Sequence, residues 1–273
     1  MLLLRFPDGA INAIRALVGV CMDSLAGKVV IITGASEGIG ARLAALLARR
    51  GARLALAARD EVRLREAGGP DALVVPGDLT DPSVRADLIA KTLERWGQID
   101  VLINNAGRGS YYKASATPID EARALFDLNF FAPLALVQLA APHLRRTRGT
   151  LANISSIAGE VSLPWLPVYS ASKFALASIT STLRMELKRD GVHVMGVFPG
   201  YVATEFQSHA AGPVPPIVLK GKRFAISADQ CAAAILHGIE RRRRTVVTPR
   251  SGWLLVWANR LFPRLVEWQL GLI

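Results

Sequence analysis

Two cysteines and four histidines are all that this chain of 273 residues offers for disulfide or soft-metal chemistry. Cys21 and Cys231 have neither framework nor zinc-site spacing, so each reads as a small apolar residue and no metal site is expected. There is no internal repeat, no low-complexity stretch and no Pro/Gly-rich linker to divide the chain. Charged residues make up only 20% against 51% hydrophobic, which excludes disorder and supplies a sizeable core. Residues 1–22 lack a membrane span: their longest apolar run, Ala16 to Met22, is far short of the ~20 residues a bilayer needs. Arg5, Pro7, Asp8 and Gly9 make a poor secretory signal, so the expected location is cytoplasmic, including the cytoplasmic face of the membrane. Ile11, Ile14, Leu17, Val18 and Cys21 recur at helical spacing in this extension. It is either an amphipathic helix or a stretch ahead of a true start at Met22.

The net charge is +11, and seven arginines against one glutamate place +6 of it in residues 241–273. Trp253, Trp257 and Trp268 accompany them. Arginine and tryptophan on an apolar segment suit peripheral contact with a membrane surface better than a phosphate-tracking groove, so nucleic acid is not an expected partner. Within the tail at 251–273, Arg260, Arg264 and Glu267 share one helical stripe, with Leu254, Trp257, Leu261, Leu265 and Trp268 largely opposite. Pro263 should start a new helix or kink the first.

From Lys28 the pattern alternates. Strands are expected at Lys28–Thr33, Arg53–Ala58, Ala72–Val75, Asp100–Ile103, Thr150–Ile154, Val192–Phe198 and Thr245–Val247. Helices are expected at Ile39–Arg50, Ser83–Trp96, roughly 119–147, Val168–Arg189 and 227–241. This alternation predicts one α/β domain over 23–250, a Rossmann-like doubly wound parallel sheet of about seven strands with helices on both faces. Residues 201–224 have no period and read as a substrate loop.

Thr33–Gly40 (TGASEGIG) joins a strand to a helix. Gly34, Gly38 and Gly40 would allow a tight turn, close approach of a pyrophosphate and close helix packing. Arg59 ends the second strand, where a guanidinium suits a 2′-phosphate; NADP(H) is therefore favoured over NAD(H), with Asp60 beside it either a complication or merely the cap of the next helix. In Asn104–Gly107 (NNAG), small residues at Asn105, Ala106 and Gly107 either let the backbone run beside an adenine or simply form an asparagine-stabilised turn. Tyr169 and Lys173 are an i/i+4 pair, so a cation can lie near the phenol and lower its pKa from ~10.

Together with Asp78, Asn129, Ser156 and Pro199–Gly200, these motifs resemble the short-chain dehydrogenase/reductase family over roughly residues 26–247. The resemblance implies Tyr169 as general acid or base, with Lys173 bonding the nicotinamide ribose. It implies that Ser156, thirteen residues before Tyr169, holds the substrate oxygen, and that Asn129 holds a water leading to Lys173. Gly34, Ser36 and Ile39 would touch the cofactor phosphates, Asp78 the adenine region, and Pro199, Gly200, Val202 and Thr204 the nicotinamide end. Glu37 departs from many NADP(H)-preferring relatives, which carry a basic residue in the glycine loop.

Tyr111, Tyr112, Leu163, Trp165, Leu166, Tyr201 and Phe206 are pocket candidates, with Trp165 and Tyr201 foremost for substrate contact. Almost none of them is charged, which points to a lipophilic, lipid- or steroid-like ketone or secondary alcohol. The alternatives are an NAD-dependent dehydrogenase of the same fold and a non-catalytic nucleotide-binding scaffold. In the family, tail segments often pack between subunits, and a homo-oligomer is expected.

Overall fold

A computed structural model describes residues 25–215 and 225–271. The expectations for residues 1–22 and for 216–224 of the loop lie outside these.

Short β-branched runs buried on both faces form the sheet. Strands β1 (Val29–Thr33), β2 (Arg53–Ala58), β3 (Leu73–Pro76), β4 (Val101–Asn104), β5 (Thr150–Ile154) and β6 (His193–Pro199) are joined by β9 (Thr245–Thr248). They pair in the order β3-β2-β1-β4-β5-β6-β9. Every pairing is parallel. Parallel strands need crossovers, and helices covering both faces keep such a sheet dry.

Side chains leave β1 alternately. Val30 and Ile32 pack with Leu43 and Leu47 of α1 (Gly38–Arg49) and with Cys231 and Ile235 of α7 (Ala228–Glu240). Ile31 turns the other way, towards Leu88 of α3 (Pro82–Trp96) and Leu136 and Leu144 of α5 (Ala132–Thr147). A fully buried side chain of this size contributes about 1.5–3 kcal/mol, so these two layers hold most of the stability. Asp81 caps α3 on the Ser83 amide, with Pro82 following, as expected of N-cap and N1.

Three details depart from the sequence expectations. A short helix, α2 (Glu61–Gly68), follows β2, capped by Asp60 on the Arg63 amide. The helical stretch at 119–147 is α4 (Ile119–Phe126) and α5, joined by a π-turn at Asp127–Phe131. The loop after β6 forms β7 (Val202–Ala203), which pairs in parallel with β8 (Ile226–Ser227), and a 3-10 turn at Glu205–Gln207. The long helix α6 spans Pro167–Glu186.

The basic tail divides in two. Arg241–Arg244 lie at the amino-terminal end of the sheet, where His193 and the Arg184 guanidinium bond the carbonyls of Arg243 and Arg244. Helices α8 (Gly252–Leu261) and α9 (Pro263–Gly271) follow β9 from its opposite end, with Pro263 starting the second. Val256 and Val266 pack inward on Val161. Leu254, Trp257, Leu261, Phe262, Leu265 and Trp268 are all more than half exposed.

Candidate active site

The strand order reverses between β1 and β4, and their connections leave to opposite faces, opening a crevice at the carboxyl ends. The resulting cleft has a volume of about 1250 Å3.

One wall is the glycine loop. Gly34 and Gly38 have φ of 64° and 54°, left-handed values that favour glycine. A Cβ on Gly34 would lie 2.8 Å from the Ala106 Cα, so loop and NNAG turn touch backbone to backbone. Thr33 Oγ1 accepts from the amides of Asn105 and Ala106, and the Asn105 carboxamide donates to the carbonyls of Thr33 and Gly34. Gly34, Ser36, Gly38 and Ile39 line the cleft together with Asn105, Ala106 and Gly107. Gly40 does not. Its Cβ would fall 2.1 Å from the Gly34 carbonyl, so it serves packing and not contact. Glu37, at the N-cap of α1, makes no side-chain cap, leaving the first helical N–H groups for an anionic oxygen. The loop thus fits a dinucleotide pyrophosphate. Arg59 and Asp78 line the far end, Asp78 turned by its bonds to the Thr80 amide and hydroxyl.

At the other end Tyr169 and Lys173 lie one turn apart on α6, both buried. The Lys173 ammonium is 5.9 Å from the centre of the Tyr169 ring and donates to the Ile154 carbonyl at 3.0 Å. Burial pushes the Tyr169 phenol up to about 12, opposed by its hydrogen bond with Ser156, and pushes Lys173 down to about 8. The expectation of a lowered phenol pKa is therefore not met by these groups alone: desolvation of the buried ring dominates. Ser156 follows β5, and its hydroxyl accepts from the Ala158 amide. Ser155 turns away and donates to the Lys173 carbonyl.

Asn129 sits in the π-turn, fully buried, and does not line the cleft. Its Oδ1 accepts from the Arg108 amide, and its Nδ2 donates to the Arg108 carbonyl and the Ser172 hydroxyl. A Cβ on Gly107 would lie 3.0 Å from Asn129 Oδ1 and 3.3 Å from Lys173 Nζ, so this glycine separates the two side chains.

Pro199, Gly200, Tyr201, Val202 and Thr204 complete that wall, with Tyr111, Leu163, Leu166 and Phe206 beside them. Phe206 packs edge-on to Tyr169. Trp165 does not line the cleft: its backbone has φ of 66° and its ring lies under the Lys113 ammonium at 5.2 Å. Tyr112 is outside as well. The sequence reading missed Arg63 and His209 at the cofactor end and Leu255 and Leu270 of the tail helices at the substrate end. Arg63 could have been found as the basic residue in the first turn of the helix that follows Arg59.

The family described as short chain dehydrogenase matches residues 28–212. Among curated proteins, the chain is 34% identical over 262 residues to 11-beta-hydroxysteroid dehydrogenase-like 2 of Arabidopsis thaliana, covering 92% of this chain and 83% of that one. It is 36% identical over 271 residues to 11-beta-hydroxysteroid dehydrogenase 1A of the same plant, covering 92% and 76%. A short chain dehydrogenase/reductase from Burkholderia phymatum, solved in complex with NAD, superposes with a TM-score of 0.82 at 25% identity, covering 89% of this chain and 96% of that one. One from Burkholderia cenocepacia, solved in complex with NADP, gives 0.76 at 28%, covering 90% and 98%.

Proposed function

The chain belongs to the short-chain dehydrogenase family, an NAD(P)-dependent oxidoreductase of CH-OH/C=O groups, and on that premise we propose that it interconverts a lipophilic ketone and secondary alcohol with NADP(H). The observation that carries this reading is the convergence of Ser156 with the buried Tyr169 and Lys173 at the apolar end of a dinucleotide-sized cleft.

The nicotinamide cofactor supplies the hydride when bound. Tyr169, with a pKa raised to about 12, is protonated at neutral pH, the state in which a phenol can hand a proton to a carbonyl oxygen gaining negative charge. The Ser156 hydroxyl, beside that phenol, holds the same oxygen and stabilises the charge. Lys173, half-way to neutrality near pH 8, supports a proton-relay position behind the phenol, and Asn129 orients the chain around it through Arg108 and Ser172. Tyr111, Leu163, Leu166, Tyr201 and Phe206 exclude water and favour an apolar substrate. The steroid dehydrogenase names of the plant relatives support that class.

Arg59 at the cleft edge supports NADP(H) over NAD(H). The exposed apolar face of α8 and α9, bordered by Arg250 and Arg264, supports peripheral attachment to an anionic membrane from the cytoplasmic side. Exposed Ile119 of α4, Phe131 of the π-turn and Met185 of α6 support a homo-oligomer.

Initial rates with NADPH and NADH over a panel of steroid, retinoid, quinone and long-chain ketones test the reading. NADPH-dependent reduction of apolar ketones is expected, and weakened NADPH use with little change for NADH in R59Q. A strong NADH preference would refute the cofactor reading, and activity confined to small polar ketones would refute the substrate reading.

A further inference from the structure

Five side chains, Arg63, Glu37, Asp60, Glu205 and His209, from three separate segments meet over the cofactor end of the cleft. Arg63, in the first turn of α2, bonds Glu37 of the glycine loop at 3.2 Å and Glu205 of the loop after β7 at 3.0 Å. It also lies 3.6 Å from Asp60. His209, on that same loop, bonds the other oxygen of Glu37 at 2.9 Å. Glu37, Asp60, Arg63 and Arg59 line the cleft; Glu205 reaches in from outside it.

The arrangement is asymmetric in strength. Arg63 and Glu205 are 47% and 60% exposed, and exposed pairs of this kind are weak and easily exchanged. A doubly charged phosphate offers a guanidinium a stronger, bidentate partner. Arg63 faces three carboxylates there, Glu37, Asp60 and Glu205, and withdrawing Glu205 lowers the negative charge around it.

We propose that Arg63 is a second cofactor-selecting residue, and that the 2′-phosphate of NADP(H) displaces Glu205 from it and so releases one of the two ties on the loop that carries Thr204 and Phe206, leaving His209 on Glu37 as the other. The proposal rests on the NADP(H) reading above. Glu37, which would repel the phosphate if it stood alone, instead bonds Arg63 and holds it at the cleft wall that Arg59 also lines. The loop it loosens reaches the reacting end of the site, because Phe206 packs on Tyr169 with ring centres 5.9 Å apart. Occupancy of the phosphate position is thereby transmitted to the substrate pocket through one guanidinium.

The probes are 2′,5′-ADP and 5′-ADP, with binding measured by calorimetry and loop opening by hydrogen exchange at residues 203–210. Wild type should bind 2′,5′-ADP more tightly than 5′-ADP. R63Q should weaken 2′,5′-ADP by roughly tenfold and leave 5′-ADP unchanged. E205Q should tighten 2′,5′-ADP by about threefold, an effect absent in the R63Q background. In wild type, 2′,5′-ADP but not 5′-ADP should speed exchange in the loop, and R63Q should exchange fast without ligand. Equal 2′,5′-ADP affinity in wild type and R63Q, or a loop indifferent to it, overturns the proposal. If R59Q alone loses the preference, this proposal fails while the NADP(H) reading stands; if wild type shows no preference, both fail.

Discussion

The ammonium of Lys173 lies 5.9 Å from the centre of the Tyr169 ring, yet its hydrogen bond goes to the carbonyl of Ile154. The pair is therefore poised and not engaged. Each group is shifted by its own burial, the phenol upward and the ammonium downward.

Replacing Tyr169 with Phe removes the proton donor and keeps the ring that packs against Phe206. Turnover should fall by roughly 10²–10⁴. Cofactor affinity, followed by nicotinamide fluorescence, should stay within about threefold. Activity retained at wild-type level would remove Tyr169 from the chemistry.

Lys173 makes stability depend on pH. Its folded pKa of about 8 lies below the ordinary lysine value of 10.5, so between these the unfolded chain holds more protons than the folded one. Stability should rise with pH across that window, and the full penalty, about 3 kcal/mol, applies below it. K173M removes the group. Urea midpoints of wild type and K173M, compared at pH 7.5, 8.5 and 9.5, should converge as pH rises. A constant difference would mean that Lys173 is not desolvated as described.

Gly40→Ala should be costly even though Gly40 never touches the cleft. The new methyl would lie 2.1 Å from the Gly34 carbonyl and 2.6 Å from the Asn105 amide nitrogen. A loss of ~3 kcal/mol in urea unfolding, together with weakened dinucleotide binding, is expected. Gly97→Ala meets nothing within 4 Å and carries only its left-handed φ, so ~1 kcal/mol is expected there. Equal costs at the two sites would argue against the loop packing.

Trp257 and Trp268 are 52% and 62% exposed, so changing both to Ser should leave folding intact. Binding to phosphatidylglycerol vesicles should fall roughly tenfold or more, since losing part of one buried tryptophan already suffices for that factor. An unchanged bound fraction in cosedimentation would reject membrane attachment through α8 and α9.

The sheet was legible because its strands are continuous buried runs; Val29–Thr33 and Thr150–Ile154 fall within a residue of the boundaries read from β-branched content. Helix α2 was not, because it is short, charged, and buries only Leu64 and Gly68. Strands β7 and β8 have two residues each, too few for any period. Among site residues, the glycine loop, Tyr169 and Lys173 carry local spacing that a reader can see. Trp165 has a left-handed backbone and lies under Lys113, a placement that no hydrophobicity pattern records. The inner face of the tail, Leu255 and Leu270, could not be told from the outer face until the packing on Val161 fixed the rotation of α8 and α9. The direction of the Tyr169 shift depends on burial, which one sequence does not give.

Strand β9 bears on how the molecule comes into being. Among the described residues it pairs only with β6, and the residues just beyond it, Pro249, Ser251 and Gly252, line the cleft. During synthesis, then, the glycine loop and NNAG turn can form around β1 and β4 long before the pocket closes. A nascent chain released from the ribosome with only its first six strands would hold a nucleotide cradle beside an unpaired β6 edge, a species prone to aggregate and suited to chaperone capture. The order of the chain makes cofactor recognition the early event and substrate recognition the last.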